Sequence, residues 1–160
     1  MGTTSNDIAT TGDGVGISAN SSDVAVDKIG LFKVAGDAGA TGLYSVNGGH
    51  VTAGFASDLE VKSSGGLAMG INTYGPAPSA VVFSGMKDMK VTADHSAAYG
   101  ISACGSTVSG DLANMNVEAY LYAAGIYAQN GAQVSTAMTG DMDVTSTSNS
   151  AEGINAIADG

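Results

Sequence analysis

The chain has 160 residues, 44 % of them hydrophobic, and its formal net charge of −10 comes from 15 acidic residues and five lysines, with no arginine. This balance excludes nucleic-acid binding and disfavours binding to an anionic membrane surface, because both partners require clustered Lys and Arg. The hydrophobic fraction argues against a disordered linker. Cys104 is the single cysteine, which excludes an intrachain disulfide.

Residues 1–13 are predicted to be an N-terminal lead-in to a repeat domain that spans residues 14–160. The opening "MGTTSNDIATT" has neither a basic segment nor an apolar stretch, so we expect no export signal in this chain. No run of 18 apolar residues occurs, so we expect no insertion into a membrane.

A glycine followed by Ile or Leu marks the start of each repeat. It occurs in "GVGIS", "ATGLYS", "AMGINT", "AYGISA", "AAGIYA" and "AEGINA", at intervals of 25 to 30 residues. The repeats therefore start near Gly16, Gly42, Gly70, Gly100, Gly125 and Gly153. The residues that follow these glycines are predicted to form one inward ladder, made of Ile17, Leu43, Ile71, Ile101, Ile126 and Ile154. A fixed period of this length indicates a solenoid.

A second motif keeps step with the first and consists of a large apolar residue, any residue, and valine. Its five copies are Phe32–Val34, Leu59–Val61, Met89–Val91, Met115–Val117 and Met142–Val144. A looser apolar position recurs between the two motifs at Val24, Val51, Val81, Val108 and Val134. Both motifs alternate apolar and polar residues, which indicates strands. Pairs such as Asn47-Gly48 and Asn130-Gly131 indicate turns between them.

These patterns predict an all-β fold, a single-stranded parallel β-helix of five to six rungs, with about 27 residues and three short strands in each rung. No repeat can bury its own apolar face, but stacked repeats at ~4.8 Å spacing bury a continuous core. The outward residue of the second motif alternates in charge or is neutral, as in-register stacking requires. This outward ladder comprises Lys33, Glu60, Lys90, Asn116 and Asp143.

The stretches "GISACGSTVSGDLANMNVEA" and "GIYAQNGAQVSTAMTGDMDVTSTSNSAEGINA" resemble passenger-domain repeats of bacterial autotransporter adhesins. The resemblance covers the chain from about Gly14 to its end. It implies a right-handed parallel β-helix that is exported to the surface of a Gram-negative bacterium, and it transfers no catalytic motif. Because neither an export signal nor a membrane anchor is found in the sequence, we expect an excised fragment or a free derivative.

Two sets of residues are candidate contact sites. Tyr44 and Tyr127 occupy the outward slot after the Gly-Ile or Gly-Leu pair, where a glycan or a protein could stack on the rings, although ordinary cross-strand packing is the alternative. Asp58, Asp88 and Asp141 fall at matching repeat positions and predict an acidic ladder. We interpret that ladder first as a solvated turn, with a weak cation site or a catalytic carboxylate pair as alternatives.

The sequence is compatible with three functions. The favoured one is a non-enzymatic structural or adhesive surface protein without a cofactor, whose partner is a protein or glycan of a host or neighbouring cell. The second is a filament subunit that stacks on copies of itself through open edges at Gly16, Ile17, Gly153 and Ile154. The third, a polysaccharide-active enzyme, is least favoured because the chain lacks arginine and a clustered histidine motif.

Overall fold

The computed structural model describes residues 5–157, which form fifteen β-strands and no helix. The strands are β1 (Ser5–Thr10), β2 (Asp13–Asn20), β3 (Asp23–Ile29), β4 (Leu31–Gly36), β5 (Gly39–Val46), β6 (His50–Phe55), β7 (Leu59–Ser63), β8 (Ala68–Tyr74), β9 (Ala80–Ala93), β10 (Ala98–Cys104), β11 (Thr107–Ala119), β12 (Ala123–Gln129), β13 (Gln133–Met138), β14 (Met142–Ser146) and β15 (Ala151–Ile157). Residues 1–4 of the expected lead-in and residues 158–160 of the expected repeat domain lie outside this range.

The strands stack as a parallel solenoid of about six turns with three faces. The first face is the six-stranded sheet of β2, β5, β8, β10, β12 and β15. The second face contains β3, β6, the first half of β9, the first half of β11, and β13. The third face contains β1, β4, β7, the second halves of β9 and β11, and β14. The predicted parallel β-helix is confirmed, and β1 adds residues 5–10 to its third face.

Two of the rungs have two strands instead of the predicted three. The 14-residue β9 and the 13-residue β11 each run across the corner between the second and third faces. The register between them shifts at this corner, where β9 carries an extra residue. Gly85 has a φ of +67° there, and its N–H donates to Asp111 Oδ2 at 2.8 Å. A glycine bulge thus turns the chain without ending the strand.

The predicted inward ladders are confirmed by the strand register. Phe32, Leu59, Met89, Met115 and Met142 are paired in sequence along the third face, and Val34, Val61, Val91, Val117 and Val144 are paired two residues later. The valine ladder of the second face is also in register from Val24 to Val134. Together with the first-face ladder, these residues form one continuous apolar core.

The repeated glycines have a steric reason that the sequence pattern alone did not supply. A Cβ atom on Gly100 would lie 2.6 Å from the carbonyl oxygen of Gly125 and 2.5 Å from Met115 Sδ. Gly70 and Gly125 have equivalent contacts with the next glycine carbonyl and with Met89 and Met142. The glycine ladder therefore gives room to the large side chains that project across the core from the third face.

Ile154 joins the predicted inward ladder by register, but the expectation that its side chain is buried is wrong. Ile71 and Ile101 of this ladder are fully buried, whereas the side chain of Ile154 is 70 % exposed. Ile154 pairs in register with Ile126 of β12, so its position in the repeat is as expected. It lies in β15, the last strand that the structure describes, and no described strand covers its other side.

Candidate functional site

The third face carries most of the paired charges. The predicted outward ladder is confirmed, because Lys33, Glu60, Lys90, Asn116 and Asp143 are paired on successive strands. Lys33 Nζ lies 2.8 Å from Glu60 Oε2, and Lys62 Nζ lies 3.0 Å from Asp94 Oδ2. The hydrogen bond to Glu60, followed by the charge of that carboxylate, raises the pKa of Lys33. These solvent-exposed pairs contribute little to stability but keep neighbouring rungs from repelling one another.

The second face carries small and mostly uncharged outward side chains. Its central outward ladder consists of Ala25, Thr52, Val82, Ser109 and Ser135. At the strand starts, His50 Nδ1 lies 2.9 Å from Asp23 Oδ1. This face offers a smooth, hydroxyl-rich surface with one imidazole at its margin.

The first face carries four of the six tyrosines on its strands and almost no charge. Its six strands contain two charged residues, Asp13 and Glu152, and no lysine. One outward ladder consists of Ser18, Tyr44, Asn72, Ser102, Tyr127 and Asn155. A second one consists of Val15, Thr41, Met69, Tyr99, Ala124 and Glu152. The first face is thus chemically distinct from the charged third face.

Tyr44 and Tyr127 lie on the same outward ladder, three rungs apart, and both side chains are half-buried. Tyr44 borders a shallow groove of about 320 Å³. The apolar part of the groove is formed by Val15, Leu67 and Met69. Leu67 is 44 % exposed and Val15 is 40 % exposed, so the groove presents apolar surface to solvent.

Three aromatic rings, Tyr99, Tyr122 and Tyr127, meet on the first face, and we call them the tyrosine cluster. The ring centroid of Tyr99 lies 5.7 Å from that of Tyr122 and 5.5 Å from that of Tyr127, with interplanar angles of 52° and 62°. These are the tilted and edge-to-face arrangements that aromatic pairs prefer. Tyr122 Oη donates a hydrogen bond to Glu152 Oε2 at 2.9 Å, and Asn155 Nδ2 donates to the same oxygen.

The sequence pattern identified Tyr127 but missed its two partners. Tyr99 belongs to the neighbouring ladder, and Tyr122 precedes β12 at the corner. The "A-x-G" part of the first motif held a usable signal, because its middle position is the outward slot that Tyr99 occupies. Only the three-dimensional register brings the two slots and the corner residue together.

The tyrosine cluster predicts an alkaline loss of stability. Burial raises the pKa of Tyr99 above 10.0, and the charge of Tyr127 acts in the same direction. Burial is also the largest cause of the raised pKa of Tyr122. The unfolded chain ionises first, so stability is retained below about pH 10 and falls as the pH rises toward the folded-state pKa.

We expect Tyr99→Phe to reduce this alkaline loss, measured as the difference between denaturation midpoints at about pH 9 and about pH 11. Tyr74→Phe is the matched control, because Tyr74 is 56 % exposed on the same face. Equal alkaline losses in the two variants would contradict the assignment to Tyr99. Phenolate absorbance recorded through the same range reports the ionisation directly.

Asp58, Asp88, Asn114 and Asp141 form the predicted ladder at the corner that leads into the third face. The Asp88 N–H donates to Asp58 Oδ1 at 3.3 Å, and the Asp141 N–H donates to Asn114 Oδ1 at 3.0 Å. Asn114 Nδ2 donates to Asp88 Oδ1 at 2.7 Å. Asp58, Asp88 and Asn114 therefore each accept a hydrogen bond from the next rung, which is a structural role in a turn. Within residues 5–157, no three His, Cys, Asp or Glu side chains are grouped so that they could hold a metal ion.

His95 and Cys104, two further polar side chains, have local partners. His95 Nδ1 lies 2.6 Å from the Ser64 carbonyl oxygen. The half-buried Cys104 accepts a hydrogen bond from Asn130 Nδ2 at 3.0 Å. Both contacts link residues on successive rungs, so these side chains help to hold corners.

Comparison of the chain with protein-family models, with curated proteins and with solved structures found no match. Within the described part of the chain, no helix is long and apolar enough to cross a membrane.

Proposed function

We propose that this chain is a non-enzymatic structural and adhesive protein that binds its partner through the first face. The observation that carries this proposal is the sorting of outward side chains among the three faces. Charges are concentrated on the third face, whereas the first face presents tyrosines, serines and amides with two charged residues in six strands. Solvation alone gives no reason for such a division.

The parallel stack holds outward side chains in fixed positions, where a binding partner can contact them. Every outward side chain on β5, β8, β10 and β12 is fixed to a backbone that pairs with the rungs above and below at ~4.8 Å. Side chains from different repeats therefore keep a constant spacing along the solenoid axis. A partner with its own repeat, or with an extended shape, can contact several rungs at once.

The proposed setting is the outside of a bacterial cell. The "GIYAQNGAQ" and "GDMDV" stretches resemble autotransporter passenger repeats, and these passengers are exported β-helices. The net charge of −10 favours solubility and mutual repulsion between neighbouring copies. On this proposal the partner is a protein or glycan on a host or neighbouring cell.

Adhesion is tested with beads that carry the biotinylated chain and flow over epithelial and bacterial cell layers. We expect coated beads to be retained several-fold above uncoated beads, and Tyr44→Ser combined with Tyr127→Ser to remove most of the gain. The matched control is His50→Ser combined with Val82→Ser on the second face, where Val82 is 46 % exposed. Retention equal to that of uncoated beads, or equal loss in both double variants, would overturn the adhesive role.

A second candidate function is self-assembly, and the exposed apolar side chains of β15 favour it. Ile154 is 70 % exposed and Ile157 is 46 % exposed. A second copy that continued the register would place Ile17 over Ile154, but it would also place Asp7 over Asp143. Stacked like charges are destabilising, so this assembly requires acid or salt. Electron microscopy of particle length over a range of concentration and pH separates filaments from single rods.

A further inference from the structure

The tyrosine cluster has a composition found nowhere else on the described surface. The Tyr99 ring contacts the rings of Tyr122 and Tyr127. Beside the rings lie one carboxylate and two amides, those of Glu152, Asn155 and Gln129. Tyr122 Oη and Asn155 Nδ2 share one oxygen of Glu152, which fixes the carboxylate beside the rings. Tyr127 Oη donates to Gln129 Oε1 at 3.3 Å. This hydrogen bond orients the Gln129 amide beside the Tyr127 ring, near the end of β12. Flat apolar surfaces and oriented polar groups thus lie side by side.

Charge decides which class of partner this surface fits. All five lysines lie outside the strands of the first face, and Asp13 and Glu152 are its only charged strand residues. An acidic polysaccharide would find no counter-charge there and would approach a chain of net charge −10. A cation would find a single carboxylate that is already hydrogen-bonded twice. The partner that remains is electrically neutral.

A neutral sugar ring satisfies both parts of the surface. Its C–H faces pack on aromatic rings, whose bodies are apolar, and its hydroxyls exchange hydrogen bonds with amides and carboxylates. The tilt of 52° and 62° between the tyrosine rings leaves an angled surface and not a closed stack. Such an angled surface suits a puckered ring better than a flat one.

A longer contact follows from the ladder that Tyr127 shares with Tyr44. The two residues are three rungs apart, a separation of about 14 Å at the usual strand spacing. Asn72 and Ser102 lie between them on the same ladder and offer further hydrogen-bonding groups. A sugar chain that runs along the solenoid axis would therefore contact the cluster at one end and the groove beside Tyr44 at the other.

We propose that the tyrosine cluster is the principal contact of a binding site for a neutral polysaccharide chain, which extends along the first face toward Tyr44. This inference rests on the proposed adhesive function and names its partner class. Polymers bind more tightly than the corresponding monosaccharides, because only a chain reaches both tyrosine positions.

The test is electrophoresis of the full chain in native gels that contain a neutral β-glucan, an α-glucan, a mannan or a xylan, with alginate and polygalacturonate as acidic probes. We expect at least one neutral polymer to retard the chain and the acidic ones not to do so. Tyr99→Ala should weaken the binding about fivefold, since an aromatic contact of this kind contributes roughly 1 kcal/mol. Tyr120→Ala is the matched control, because Tyr120 is 45 % exposed and lies 6.4 Å from the His95 ring, outside the cluster.

Two further, conservative variants distinguish a loss of binding from a loss of folding. Tyr99→Phe keeps the ring and should retain most of the affinity, whereas Glu152→Gln keeps the shape but changes the hydrogen-bond pattern and should weaken it. Retardation by none of the neutral polymers, retardation by acidic polymers alone, or equal loss in Tyr99→Ala and Tyr120→Ala would overturn the site. Bead retention that no neutral polymer competes away would overturn the site and leave the adhesive role intact. Polymer binding without bead retention would support the polysaccharide site and overturn the adhesive role.

Discussion

Replacing Gly100 by alanine is expected to lower the free energy of unfolding by about 3 kcal/mol, because overpacking a close-packed core forces the backbone and side chains apart. The added Cβ would lie 2.6 Å from the carbonyl oxygen of Gly125. It would also lie 2.5 Å from Met115 Sδ. The methionine can rotate away, but the carbonyl oxygen belongs to the next rung and cannot move without disturbing the pairing of β10 with β12.

Gly12→Ala is the matched control for this prediction. Gly12 lies between β1 and β2, and no atom would come within 4 Å of an added Cβ there. The same chemical change should leave the free energy of unfolding unchanged or raise it by up to about 1 kcal/mol, because alanine restricts the unfolded chain. Denaturant titration followed by circular dichroism measures both variants. If Gly100→Ala unfolded at the same denaturant concentration as Gly12→Ala, the close approach of glycine and methionine ladders would be refuted.

The repeat architecture could be predicted because each inward ladder uses one residue type or its near equivalents. Met89, Met115 and Met142 stand at the same place in three repeats, so the sequence displays the stacking directly. A register error of one residue would expose the entire ladder, which makes the period a strong constraint. Charges on the third face obey the same constraint, and Lys33 and Glu60 could therefore be placed opposite each other in advance.

The tyrosine cluster could not be predicted in the same way. Its members come from three different positions of the repeat, and each of them occurs as tyrosine only once or twice along its ladder. Outward positions do not have to fit a shared core, so the same residue type need not recur at them from one rung to the next. The corner bulge at Gly85 was missed for a related reason, because it occurs in one rung and leaves no repeated trace in the sequence.

Ile101→Ala and Ile154→Ala test whether stability depends on position along the solenoid. Both residues follow the repeated glycine of the motif and occupy the same ladder, but Ile101 is fully buried and Ile154 is 70 % exposed. Ile101→Ala should cost about 3–4 kcal/mol, through lost apolar burial and the cavity left behind. Ile154→Ala should change the free energy of unfolding by less than about 0.5 kcal/mol. Denaturation midpoints of the two variants at one low protein concentration measure the contrast.

The same two variants, Ile101→Ala and Ile154→Ala, also distinguish a monomeric rod from an assembly of stacked copies when their stabilities are measured over a range of protein concentrations. In a rod, the small effect of Ile154→Ala is independent of protein concentration, because the side chain faces solvent at every concentration. If copies stack through this edge, Ile154 becomes buried as concentration rises, and its substitution then becomes as costly as that of Ile101. A loss at Ile154 that grows with concentration would thus assign the exposed edge of β15 to self-association. A loss that stays small at every concentration would argue against self-association through this edge.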